Sequence, residues 1–199
     1  MTDTTLALVV FLFPLAFSPG PGNLFFAALG ARGGLAAAAP AMLGYHVVTW
    51  GVTAAMGFGT AGVAQAAPAA LRGLQIVGGL YVLYLAHGLW RAGPVRTDKA
   101  DRASGRAGVA TGAALLLLNP KAYVIIALMF AQFADAAHGP VAVFWIATVF
   151  TLNNLVAFTF WTALGNRLAA ICGDAHGARW LNTGLAASLA GVAVWMLAT

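Results

Sequence analysis

Ser18-Pro19-Gly20-Pro21-Gly22-Asn23 stands in the middle of an otherwise apolar run, and Leu118-Asn119-Pro120-Lys121 interrupts a second one. The fold turns on these two stretches. Proline lacks an N–H and its ring clashes with the preceding helical turn. The residue before it avoids helical dihedrals. Two prolines and two glycines across positions 19–22 therefore break any helix that enters them. In the second stretch Asn119 and Pro120 make a good N-cap and first helical position, so a new half-helix can start there. Ser18 and Pro19 offer the same pair in the first. Pro19 and Pro120 are 101 positions apart, about half of the 199 residues.

The sequence around the breaks belongs in lipid. Hydrophobic types make up 61% of the chain and charged types 8%, and the mean hydropathy is +0.87. A soluble domain carries about 25% charged residues. Apolar stretches of bilayer-crossing length, about 20 residues each, run over 5–31, 36–64, 69–91, 107–133, 140–166 and 178–198. They do not alternate as barrel strands do, so they read as helices. The expected fold is an all-α integral membrane protein with six transmembrane helices in one domain, residues 1–199. Two three-helix units, about 1–95 and 104–199, flank a polar loop at 93–106. Three is odd, so the second unit enters the membrane from the opposite face. The units then form inverted repeats, with helices 1 and 4 broken at matching positions. Such pairs point to a transporter's binding site; as simple kinks they would only shape packing.

Charge sets the expected orientation. Arg32, Arg91, Arg96, Lys99, Arg102, Arg106, Arg167 and Arg179 fall on one side of a six-span layout, and only Arg72 falls on the other. By the positive-inside rule the 93–106 loop is cytoplasmic and both termini lie outside, in a multi-pass membrane protein. Trp90, Trp180 and Trp195 near helix ends read as interfacial anchors. Asp3 at the start is unlike the basic opening of a signal peptide, so the first apolar segment is expected to be retained. The net charge of +5 is spread over helix ends and one loop and forms no nucleic-acid face. Cys172 is the single cysteine, which excludes an internal disulfide and a thiolate metal site.

Lys121 marks the expected site. A charge inside a span costs about 2.5–3.5 kcal/mol on insertion scales unless it meets water or a partner. It follows Pro120, where the free N–H groups of a half-helix already favour an anion. Ser18, Pro19, Gly20, Pro21, Asn23, Asn119, Pro120 and Lys121 are therefore expected to bind substrate. Carbonyls freed at the Pro-Gly-Pro break would meet an ammonium group. Helix 2 carries His46, Thr49, Thr53, Gly57 and Thr60 on one face, and helix 5 carries Thr148, Thr151, Asn154 and Thr162 with Asn153 beside them. From these stripes His46, Thr49, Thr53 and Asn154 join the substrate-binding set. Polar groups in lipid otherwise turn to other helices. Gly78, Gly79 and Ala86 in helix 3, and Gly184, Ala187 and Gly191 in helix 6, suit close helix contact. Tyr81 could also reach the cavity.

Taken together these residues resemble the lysine-exporter and homoserine/threonine-resistance (LysE/RhtB) family of bacterial amino-acid exporters. The resemblance is carried by Ser18-Pro19-Gly20-Pro21, by glycines 44, 57 and 59, and by Gly78-Gly79-Leu80-Tyr81 running to Trp90-Arg91. Leu118-Asn119-Pro120-Lys121-Ala122 and Gln132-Phe133 complete it. It implies secondary active export of amino acids driven by an ion gradient, with a proton as the expected coupling ion. Ala131 stands where many relatives have proline, Val48 where others have a glycine, and Asn154 near where many have an acid. With no Glu in the chain and Asp only at 3, 98, 101, 135 and 174, a neutral zwitterion is the expected substrate. Transport of another solute or a metal ion is the alternative, although the spans hold no cluster of metal ligands. No acid/base pair suited to an enzyme is buried in them, and no cofactor is expected. The expected partners are the amino acid, the coupling ion and the bilayer. A homodimer is compatible with a sequence that does not fix the oligomeric state.

Overall fold

The computed structural model describes residues 2–59, 68–91, 107–133, 139–172 and 175–198. All regular structure among them is helical: α1 (Thr2–Phe17), α2 (Pro21–Gly57), α3 (Pro68–Arg91), α4 (Val109–Leu117), α5 (Pro120–Phe133), α6 (Pro140–Ile171) and α7 (Ala175–Ala198). Four of the seven start on a proline, whose fixed φ and missing N–H suit the first helical position. The loop at 93–106 and Thr60 lie outside the described residues.

Helices α2, α3, α6 and α7 are long and apolar enough to cross a bilayer, and α4 with α5 adds a fifth candidate if the bent pair counts as one span. α2 has 37 residues, about 55 Å at 1.5 Å per residue, which is too long for one crossing. It is two arms, 21–32 and 35–57. Gly33 (φ −162°, ψ 16°) and Gly34 (φ 65°, ψ −160°) leave the helical region between them. Gly34 has the left-handed φ that glycine adopts without steric cost. The polar punctuation at 32–34 is therefore a turn. α6 extends five residues past the expected end at 166 and carries Arg167 within it.

The bundle packs by exchange. α2 lies against α6 and α4, α1 against α6, and α3 against α7. Two crossings bring backbones into direct contact. A Cβ at Gly30 would lie 2.0 Å from the Thr162 carbonyl oxygen, and one at Gly165 would lie 1.9 Å from that of Ala27. Gly44 stands in the same relation to Val109 (1.9 Å), and Gly112 to Ala41 (1.8 Å). Each crossing has one glycine per helix, and each glycine faces the carbonyl three residues before its opposite number. In lipid, close approach of this kind supplies dispersion and Cα–H···O contacts that replace the missing hydrophobic drive.

α3 and α7 form a separate layer. Gly78 sits on the Leu118 carbonyl (1.9 Å from a Cβ there) and Gly79 on Leu197. Asn182 Nδ2 donates to the Leu89 carbonyl at 2.9 Å. The expectation for α7 fails on one point. Gly184, Ala187 and Gly191 are exposed, and nothing lies within 4 Å of a Cβ at either glycine. The buried stripe is Asn182, Ala186, Leu189, Ala193 and Met196, spaced 4, 3, 4, 3. Small residues on one helix face do not by themselves say which face is buried.

Two apolar clusters fill the bundle. One gathers Phe26, Tyr45, Leu115, Leu116 and Phe158 with parts of α3 and α7. The other gathers Leu8, Leu12, Ile125, Ile126, Met129, Ile146 and Phe150. The chain passes from one cluster to the other at both breaks, and on α6 it does so around Asn154, between Phe150 and Phe158.

Candidate functional site

The first break is held open by its own side chains. α1 ends at Phe17, and the Ser18 N–H donates to the Pro14 carbonyl at 3.0 Å. The four carbonyls that follow have no helical successor to bond. Ser18 Oγ donates to the Leu15 oxygen at 2.9 Å. Asn23 Nδ2 donates to both Ala16 and Ser18, each at 2.8 Å. Trp161 Nε1 reaches the Phe17 oxygen from α6 at 3.2 Å. These carbonyls are thus already taken, contrary to the expectation that they stand free for an ammonium group. Asn23 serves the break as a clamp.

The second break is capped on both sides. The Leu118 and Asn119 N–H groups close the end of α4 on Ala114 and Leu116, each at 2.9 Å. Asn119 Oδ1 accepts the Lys121 N–H at 3.2 Å, the N-cap arrangement read from the sequence. Tyr123 donates its hydroxyl to the Leu117 carbonyl at 3.1 Å. α4 and α5 meet at a bend of 62°. α2 begins differently. Its N-cap, Gly20, is extended (φ −162°, ψ 176°) and offers no side-chain cap. The uncapped helix N-terminus is therefore at Gly22 and Asn23, and not after Pro120 as the sequence suggested.

The two breaks touch. Lys121 Nζ donates to Ser18 Oγ at 2.7 Å across 103 residues of sequence. The ammonium also lies over the first break, 3.4 Å from where a Cβ on Gly20 would stand. Beside this contact is a cavity of about 30 Å³. Its polar lining is Gly20, Asn23, Asn119, Lys121, Tyr45 and Asn154, and its apolar lining includes Leu15, Ile125, Phe150 and Phe158. Tyr45 sits with its hydroxyl against the Asn119 side chain. The volume suits one or two waters and lies far below the roughly 300 Å³ at which small-molecule pockets begin. The site in this conformation is narrow, and a substrate larger than water needs it to widen.

The expected residues divide into two groups. Gly20, Pro21, Asn23, Asn119, Lys121 and Asn154 line the cavity, and Ser18 joins them through Lys121. Pro19 is exposed, and Pro120 starts α5 without lining the cavity. Thr49 and Thr53 are fully buried and donate to the carbonyls four residues back, Tyr45 at 2.8 Å and Thr49 at 2.7 Å. Thr162 does the same with Phe158. Their hydroxyls satisfy the helix they stand on, and none of the three lines the cavity.

His46 lies behind the aromatic wall, edge-on to Tyr45 and Phe158 at ring distances of 5.5 Å. Its Nδ1 is 2.7 Å from the Met42 carbonyl. A carbonyl only accepts, so Nδ1 carries the proton. Nε2 is buried and faces the Asn154 backbone without a hydrogen bond of good geometry. Tyr81 donates to the Thr111 carbonyl at 3.4 Å and does not reach the cavity.

Sequence reasoning missed Tyr45, Phe150 and Phe158. Phe150, Asn154 and Phe158 are four residues apart along α6, which is the signal that could have found them. Gly22 belongs with them, because the Phe158 ring lies 2.7 Å from where its Cβ would be.

Interrupted apolar helices that meet over a cavity lined by a lysine are the arrangement of a membrane solute translocator's binding site. The chain belongs to the LysE type translocator family, whose model matches residues 13–199. An uncharacterized membrane protein of Pseudomonas aeruginosa, PA4757, is 29% identical over 171 residues, covering 81% of this chain and 78% of that one. No solved structure matches the chain.

Proposed function

We propose that this protein is a secondary active exporter of neutral, zwitterionic amino acids across the bacterial inner membrane, driven by a proton gradient. The observation that carries the proposal is the Lys121–Ser18 contact, which joins the two breaks beside a small, partly polar cavity. A lysine there attracts a carboxylate and repels a second ammonium. The chain has no Glu, and its five Asp stand far in sequence from both breaks. A lysine or arginine side chain would therefore leave water without an anionic partner, a cost of several kcal/mol.

The packing supports a six-span, inverted-repeat reading. Count α1 with 21–32 as span 1, 35–57 as span 2, α3 as span 3, bent α4–α5 as span 4, α6 as span 5 and α7 as span 6. Span 1 then packs on span 5, span 4 on span 2, and span 3 on span 6. Exchanging the halves maps this set of pairs onto itself, as a pseudo-two-fold axis requires. The basic asymmetry puts the 93–106 loop in the cytoplasm and both termini in the periplasm.

The test is flux from proteoliposomes loaded with labelled leucine, threonine or lysine, with and without an imposed pH gradient. Neutral amino acids should leave faster than lysine, and the gradient should accelerate them. Lysine as the best substrate would refute the charge argument. Indifference to the gradient would refute proton coupling.

A further inference from the structure

Four features of the cavity assign an orientation to whatever zwitterion fills it. The first is the uncapped start of α2. With Gly20 extended and Pro21 lacking an N–H, the amides of Gly22 and Asn23 head this helix without a side-chain cap. Such amides together with the helix dipole form an anion seat. α5 offers no equal, because Asn119 already occupies its first N–H. The second is Lys121, whose ammonium lies over the same helix start and gives one of its three donors to Ser18.

The third is Asn154. It is 7% exposed and lines the cavity. An amide in a cavity wall offers a ligand both a donor and an acceptor. The carbonyls that end α1 are all occupied, so the ammonium is assigned to Asn154 Oδ1, on the cavity wall contributed by α6. The fourth is the remaining wall. Leu15, Ile125 and Phe150 close the cavity on the side of the α1–α5 apolar cluster, and none of them can bond a hydroxyl.

We propose, resting on the export reading above, that the substrate is an α-amino acid with an aliphatic side chain. Its carboxylate sits between Lys121 Nζ and the Gly22 and Asn23 amides, its ammonium faces Asn154, and its side chain lies against Leu15, Ile125 and Phe150. A hydroxyl on that side chain loses water and gains no partner. Apolar pockets discriminate against an added hydroxyl only moderately, so leucine is favoured over threonine by about 10- to 100-fold.

The experiment is competition against labelled-leucine efflux from proteoliposomes holding the full-length protein. The competitors are isoleucine, valine, threonine, serine, 4-methylpentanoate (no ammonium) and 3-methylbutylamine (no carboxylate). Isoleucine and valine should compete within a few-fold of leucine and threonine about 10- to 100-fold more weakly. Each single-charge analogue should compete more weakly than leucine, and the amine most weakly. Phe150→Ala should weaken leucine and admit phenylalanine, and Ile125→Ala gives the same reading if the first variant inserts poorly. Threonine or serine matching leucine would overturn the side-chain seat, as would an unchanged ranking in Phe150→Ala. The amine outcompeting the acid would overturn the carboxylate seat. No flux of any amino acid through wild-type protein would overturn the export reading and this one together.

Discussion

Gly165→Ala is the sharpest test of how the bundle is held together. The new Cβ would stand 1.9 Å from the Ala27 carbonyl oxygen, where ordinary contact begins at 3.4 Å. The obstacle is helix backbone, so no rotamer change relieves it. α6 and the first arm of α2 must part by about 1.5 Å, and the reciprocal contact of Gly30 with Thr162 opens with them. Overpacking a tight site costs about 1–3 kcal/mol, and two strained Cα–H···O contacts cost about 0.5–1 kcal/mol each. Alanine returns about 0.5–1 kcal/mol through helix propensity. The net expectation is a loss of about 1–4 kcal/mol, and Gly44→Ala at the other crossing should behave alike. Gly191→Ala is the control. It meets nothing within 4 Å and should be neutral or slightly stabilising. The measurement is reversible unfolding in mixed micelles of increasing SDS fraction, followed by tryptophan fluorescence. If Gly165→Ala and Gly191→Ala unfold within about 0.5 kcal/mol of each other, the backbone-contact argument is wrong.

Other outcomes follow from the site. Asn23→Ala removes the donor to two carbonyls at the first break; at about 1–3 kcal/mol per buried unsatisfied group, the same titration should show a loss of at least about 2 kcal/mol. Lys121→Met should insert and fold yet lose export, so normal leucine efflux from reconstituted mutant would remove Lys121 from the site. A reporter fused at Lys99 should be active only in its cytoplasmic form and one after Thr199 only in its periplasmic form. Two reporters on the same side would mean an even number of spans between them, not the three expected.

Much of this protein can be read from composition and from two proline motifs. A chain with 8% charge has no soluble alternative, and a proline cannot pass unnoticed through a helix. The breaks therefore fall where the sequence puts them, at Ser18–Gly20 and at Leu118–Asn119. Asn119 caps α5 as its place before Pro120 requires, because capping is settled within a few residues. What the sequence left open depends on partners far along the chain. Thr49 and Thr53 read like cavity residues and turned to their own helix, since a hydroxyl can bond the carbonyl four residues back as readily as a ligand. The glycines of α7 read like a contact face and look outward, while Gly30, Gly44, Gly112 and Gly165 carry the close crossings. Tyr45, Phe150 and Phe158 went unnoticed among the other aromatics of the spans. Periodicity tells which residues share a helix face, but only the packing of α2 against α4 and α6 tells which face meets another backbone, which meets lipid and which surrounds the cavity. The same limit held for the helix N-terminus without a side-chain cap, which is at the start of α2 and not of α5. Whether a helix N-terminus stays free depends on whether a nearby side chain reaches back to it, and that is decided when the break folds.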